Sequence, residues 1–189
     1  MVRAILERRK TTTRRTIKPQ PDFVVDGFAA RHTPHDMRLG RLGESIRCPY
    51  GKPGDRLWVR ETWKTHSTFD HLPPRDVPES NLFYAADEPR YSPSGSRWRP
   101  SIHMPRWASR ITLEVTGVRV ERLQDLREED AIAEGVDSDL CRASIGKAPL
   151  KQGYLPICAF SYLWDQINGA GSWDANPWVW VVEFQRMGQ

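Results

Sequence analysis

The sequence predicts an α+β domain, a small, partly open β-barrel with short helices at its mouth. Three observations predict it. The segments Asp55–Thr62, Ile111–Val120 and Trp178–Gln185 alternate in the period of a strand. The helical segments around them are few and short, which suits strands closing on one another better than a doubly wound sheet. No phosphate-cradling glycine motif is present, because the turn Gly51-Lys52-Pro53-Gly54 has neither the spacing nor the following helix that such motifs need.

Taken in order, Val2, Ile5 and Leu6 fall at helical spacing and predict a short amphipathic helix over Val2–Arg9. Thr11-Thr12-Thr13 then favours a turn or strand, and Pro19 and Pro21 forbid more helix. The cluster Arg9-Lys10-Thr11-Thr12-Thr13-Arg14-Arg15 therefore sits at a helix-to-strand junction. From Asp22 to Tyr50 no period is sustained, and Pro34, Gly40 and Gly43 break the segment, so residues 22–50 are expected to be an irregular insertion. The strand Asp55–Thr62 sets Leu57, Val59 and Glu61 on one face and Trp58, Arg60 and Thr62 on the other. Residues 64–105 are rich in Pro, Ser, Asp and Arg and predict a long loop-rich excursion, interrupted by a short strand over Leu82–Ala85.

Ile111–Val120 is a second strand, with Ile111, Leu113 and Val115 on one face. Asp125 and Glu128 stand in the relation of a capping box and Gly135 supplies a stop, which places a helix at about Leu126–Glu134. After a loop across 140–154, Pro156 opens a helix whose Phe160, Leu163, Trp164 and Ile167 recur at i, i+3, i+4 and i+7, a stripe expected to be core. Trp178–Gln185 is apolar on both faces and reads as a buried final strand. The whole, 1–189, reads as one domain.

The 189 residues carry 28 Lys and Arg against 24 Asp and Glu, a net charge of +4, with a mean hydropathy of −0.62. A chain of this size can bury roughly 70% of its unfolded surface without the help of a metal or disulfide. No run of about 18 apolar residues occurs, and the first ten residues mix charge into the apolar positions. Neither a membrane span nor a secretory signal is predicted, so the expected location is cytoplasmic. Cys48, Cys141 and Cys158 are odd in number and far apart with no CxxC pair, as reduced thiols would be. Eight Trp in a chain of pI near 9.1 suit stacking on nucleobases beside basic surface.

His32 and His35 beside Asp36 form a metal-like pattern, but Pro34 lies between them and no third ligand is indicated, so no metal site is expected. Lys10 stands in a crowd of cations that disfavours its ammonium and makes it a better base, and a Thr hydroxyl beside a base is a candidate nucleophile. The same residues also read as a basic patch contacting phosphates. Glu61, an acid on an otherwise apolar strand face, needs a partner: it either pairs with Arg14 or Arg15 or lines a pocket. Trp63, at the exit of that strand, either stacks on a pyrimidine or packs in the core.

Several segments in unbroken order resemble a known family. They are Ile5-Leu6-Glu7-Arg8-Arg9-Lys10-Thr11-Thr12-Thr13-Arg14-Arg15, then Lys52-Pro53-Gly54-Asp55-Arg56-Leu57-Trp58-Val59, the strand Ile111–Thr116, the helix ending Ala133-Glu134-Gly135, and Trp180-Val181-Val182-Glu183-Phe184. Together they resemble the ASCH family, the activating-signal-cointegrator homology domains, whose fold is a PUA-like β-barrel. The segment from Trp58 to Trp63 and the ending from Pro177 to Phe184 are similar to ASCH proteins of phages and prophages. Two departures stand out: the chain begins almost at the helix, without a preceding short strand, and the excursions at 64–105 and 140–154 exceed a minimal domain.

Minimal bacterial ASCH proteins include N4-acetylcytidine amidohydrolases, and the resemblance implies their catalytic groups at Lys10, Thr13 and Glu134. Arg15 matches the Arg of their motif, and Arg8 stands where they usually carry Gly. The implied activity is metal-independent and cofactor-free hydrolysis of N4-acylcytidine, acetyl or bulkier, to cytidine and a carboxylic acid. Arg15, Glu61 and Trp63 are the expected substrate-binding residues. Thr13 attacks after losing its proton to Lys10, or Lys10 and Glu134 activate a water that Thr13 orients; the residues alone leave both open. A non-catalytic RNA-binding module and an ASCH-type ribonuclease are the alternatives, and a modified pyrimidine nucleoside or RNA is the expected partner, with no membrane.

Overall fold

The computed structural model describes residues 1–25, 28–31, 44–79, 82–87, 95–144 and 155–188. Its centre is a four-stranded antiparallel sheet curled into a half-barrel; in sheet order the strands are β1 (Thr12–Thr16), β9 (Trp178–Arg186), β8 (Thr112–Arg122) and β5 (Arg56–Trp58). Against it lie short helices, so the architecture is mixed α+β and compatible with a small, partly open barrel. Between β8 and β9 the register slips at Thr116, where Val115 faces Phe184 and Gly117 already faces Glu183. Such a bulge bends its strand and raises the local twist, which helps the sheet curl.

β9 is buried on both faces, as its sequence predicts, and thereby organises two cores. Val179 and Val181 point to one side, where they meet Phe160 and Trp164 of helix α4 (Leu155–Asn168) and Ala131 of helix α2 (Glu128–Ala133). Trp180 and Val182 point to the other, against Ile17, Ala29 and Val115. That second face is covered by a small sheet, β2 (Phe23–Val25), β3 (Phe28–Arg31) and β4 (Glu44–Ser45), paired in the order β2-β3-β4. The described part of 22–50 is thus not an irregular insertion. Its strands run for two to four residues, too short to display a period.

Other boundaries move for local reasons. Helix α1 spans Val2–Leu6 and stops short of Arg9. The predicted strand 55–62 is paired only over Arg56–Trp58, and β6 (Trp63–Lys64) belongs to a separate ribbon with β7 (Phe83–Tyr84). That ribbon and the turns of the 64–105 excursion share a core of their own around Trp63, Val77, Met104 and Ala108. Helix α2 is capped by Asp130, whose carboxylate accepts from the Arg127 backbone N–H at 3.2 Å, and not by the Asp125–Glu128 pair. Residues Ser138–Ser144, whose last five begin the expected 140–154 loop, form helix α3. Among the described residues, no helix is long and apolar enough to cross a membrane.

Candidate active site

Two helix ends bring the candidate residues together. Helix α1 closes with a Schellman motif: Arg9 N–H donates to Ala4 O at 2.8 Å and Arg8 N–H to Ile5 O at 3.0 Å. Such a turn needs a left-handed residue, and Arg8 supplies it with φ of 60°. This is the position at which the resembling motif carries Gly, so the backbone conformation that Gly favours is present without it. Helix α2 ends the same way, with Val136 N–H on Ala131 O at 3.2 Å and Gly135 N–H on Ile132 O at 2.8 Å. Gly135 has φ of 90°, and a Cβ there would lie 3.0 Å from Ala4 Cβ and 3.2 Å from Lys10 Cβ. The glycine thus serves both the turn and the close approach of α2 to Lys10.

The approach is sealed by hydrogen bonds. Thr11 N–H donates to Ala133 O at 2.8 Å, and Lys10 Nζ donates to Glu134 O and to Glu134 Oε2, each at 2.7 Å. Lys10 is 9% exposed and Glu134 3%. Burial is the largest influence on Lys10 and lowers its pKa; Glu134 pulls it back up, and Arg15 and Arg14 push it further down. The net direction is down, toward an amine that is neutral more often than a surface lysine. Glu134 is held from its other side by Arg14, whose Nη1 lies 3.4 Å from Oε1. Arg14, itself 3% exposed, also reaches Glu121 Oε1 at 3.0 and 2.5 Å and Asp130 at 3.4 Å. The chain of charges continues to the surface through Arg119, which bridges Glu121, Asp130 and Glu183.

Lys10, Thr13, Arg15 and Glu134 line one cavity of about 240 Å³. Its apolar lining comes from α4, through Phe160, Leu163, Trp164 and Ile167, and from Met1, Val2, Ile5 and Val59. Ile167 was expected in the core but is 62% exposed, because the stripe of α4 leaves the sheet in its last turn and continues along the cavity. Trp164 is 5% exposed, and its indole N–H has no partner among the described residues. The Thr13 side chain makes no hydrogen bond among the described residues either, and Lys10 donates only to Glu134.

Comparison of the chain with family models, with curated proteins and with solved structures finds no match in any of the three.

Two expected substrate-binding residues lie elsewhere. Glu61, 1% exposed, accepts a bidentate pair from Arg110 at 3.0 and 2.9 Å, so its partner is neither Arg14 nor Arg15. Burial works against the Arg110 charge, but Glu61 and Asp87 outweigh it and hold the guanidinium well above its ordinary pKa. Glu61 does not line the Lys10 cavity; it faces a separate depression shared with Arg3 and Asp137. Trp63 is fully buried, edge-on to Trp107, with the Arg99 guanidinium 5.4 Å over its ring. A fully buried ring offers no face for stacking, and its position in the satellite core is the reason. His32, His35 and Asp36 lie outside the described residues. Among the described residues no group of three or more His, Cys, Asp or Glu is placed to hold a metal ion.

Sequence reasoning missed Arg14 as the residue that fixes Glu134, and Phe160 and Trp164 as cavity wall. The signal for Arg14 was present: in a strand, Thr12 and Arg14 share a face, and that face meets Val181, a core residue. A cation on a core-facing position implies a buried acid partner.

Proposed function

We propose that the chain is an ASCH-type, PUA-like domain that hydrolyses the acyl amide of N4-acylated cytosine. One observation carries the reading: Lys10 and Glu134, 124 residues apart, form a buried 2.7 Å pair in the wall of a small cavity that Thr13 and Arg15 also line. Drug-sized pockets run to roughly 300–1,000 Å³. A smaller cavity with apolar lining beside the charged pair suits a single acylated base, with the sugar left outside.

In the proposed reaction an oxygen nucleophile adds to the acyl carbon, and its proton passes to neutral Lys10. The lowered pKa of Lys10 supports that role. Arg15 or a backbone N–H holds the oxyanion. Collapse breaks the bond from the acyl carbon to N4, and the departing nitrogen takes a proton handed on through Glu134. The nucleophile is a water, or Thr13 Oγ followed by water to release the acid; either way one water is consumed, and cytidine and a carboxylic acid are formed. Among the described residues Lys10 donates only to Glu134, which supports an acid–base pair acting on a water, and the Thr13 hydroxyl makes no hydrogen bond, which supports the covalent route.

Incubation of the chain with N4-acetylcytidine, followed by ultraviolet absorbance and chromatography of the products, tests the reading. Conversion to cytidine and acetate is expected. No conversion at any pH between 6 and 10 overturns it, and salt-sensitive RNA binding in its place establishes the non-catalytic module.

A further inference from the structure

Beside the cavity, and sharing Arg15 and Asn168 with it, lies a second depression of about 370 Å³. Its wall carries Arg15, Lys18 and Arg47, with Tyr50 and Trp180 as aromatic floor and, among the described residues, no carboxylate. All three cations are exposed, and none makes an ion pair or hydrogen bond among the described residues. Other exposed cations, among them Arg8, Arg56 and Arg97, also lack an ion pair among the described residues, but here three such cations share one depression. Three unneutralised cations on one concave wall repel one another, and the arrangement gains most from an anion between them.

We infer that this depression is a phosphate site, and that the ligand of the neighbouring cavity is a cytosine nucleotide and not a free nucleoside. The inference rests on the proposed function only for the identity of the base. Arg15 stands at the junction of the two depressions, and its planar guanidinium suits a phosphate oxygen pair, which leaves the oxyanion of the proposed reaction to a backbone N–H. Lys18 and Arg47 extend the positive wall away from the cavity, as a second phosphate of a strand would require. A mononucleotide engages one phosphate; a strand engages more and binds with a steeper salt dependence.

Calorimetric titration separates the possibilities without relying on turnover. The probes are cytidine, cytidine 5′-monophosphate, cytidine 3′-monophosphate and a short oligocytidylate, at low and at physiological salt. The monophosphate of matching geometry should bind about tenfold or more tightly than cytidine, as one additional charge-assisted contact provides. The advantage should shrink with salt and fall to about onefold in Arg15→Gln, whereas Lys18→Gln/Arg47→Gln should remove any further gain shown by the oligonucleotide, provided the Tm of each variant matches the parent. A further gain for the oligonucleotide identifies a strand as ligand; no further gain identifies the mononucleotide. Equal affinity for cytidine and every phosphorylated probe, or no binding by any of them, overturns the inference. Failure to hydrolyse N4-acetylcytidine with the phosphate preference intact would overturn the proposed reaction alone.

Discussion

Lys10 is half of a buried ion pair and, in the proposed reaction, the base, and the two roles make different predictions. As a base with a lowered pKa, it should give kcat/KM for N4-acylcytidine a limb that rises with pH and bends below 10.5, the ordinary lysine value. Lys10→Arg should abolish that limb, because a guanidinium does not deprotonate in this range. The sign for stability is the same. The folded chain releases this proton more easily than the unfolded chain, so the Lys10 contribution makes stability rise as pH climbs from its folded pKa to 10.5. As half of a buried pair, Lys10 should also carry a stability cost when removed. Breaking such pairs costs about 3–5 kcal/mol where the partner is left alone, and Arg14 beside Glu134 keeps Lys10→Met toward the low end. Chemical denaturation measures that cost, and activities of variants should be compared at equal folded fraction. Glu134→Gln keeps the shape but loses the titration, so kcat should fall by about 100-fold or more with KM little changed.

At the scale of elements, two short helices end in left-handed turns whose closing residues are not interchangeable. Arg8 bears a side chain where φ is 60°, so Arg8→Gly relieves a cost of about 1–2 kcal/mol, offset in part by the greater freedom of glycine when unfolded. Denaturant titration should find it neutral or more stable by up to about 1 kcal/mol. Gly135→Ala is the opposite case, since its Cβ meets Ala4 and Lys10; it should lose both stability and activity. Along α4 the same apolar stripe serves two purposes. Trp164, at 5% exposure, is core as well as cavity wall, whereas Ile167, at 62%, is wall alone. Ile167→Ser should therefore leave Tm nearly unchanged and raise KM, and an unchanged KM would remove α4 from the binding surface. In the core proper, Val181→Ala should cost about 2 kcal/mol, because the side chain is fully buried between sheet and helices.

For the molecule as a whole, the strong periodic segments were legible and the weakly periodic ones were not. β8, β9 and α4 each run for nine residues or more, long enough for a period to declare itself. The β2-β3-β4 sheet is made of fragments whose pairing is set by tertiary contact with Trp180 and Val182, and nothing local encodes it. In the site, Lys10, Thr13, Arg15 and Glu134 were found through their motif and do line one cavity. Glu61 and Trp63 keep the buried side of the alternation past Trp58, where the chain leaves the main sheet, so their buried side faces Arg110 and the satellite core and not the cavity. Arg110 was illegible as the partner of Glu61 because a pair 49 residues apart leaves no trace in spacing; Arg14 on a core-facing position called for an acid, but nothing in the spacing named Glu121 or Glu134, 107 and 120 residues away.

The central claim is that the Lys10–Glu134 pair performs hydrolysis at the acyl carbon. Its most direct test is steady-state turnover of N4-acetylcytidine by the parent chain, Lys10→Arg, Glu134→Gln and Thr13→Val, with intact-mass analysis after rapid quenching. The account predicts turnover by the parent and losses of about 100-fold or more in the Lys10 and Glu134 variants, each at full folded fraction. An acetyl adduct on Thr13 would assign the nucleophile to that hydroxyl, and its absence would assign it to water. Parental activity in Lys10→Arg or Glu134→Gln would contradict the account.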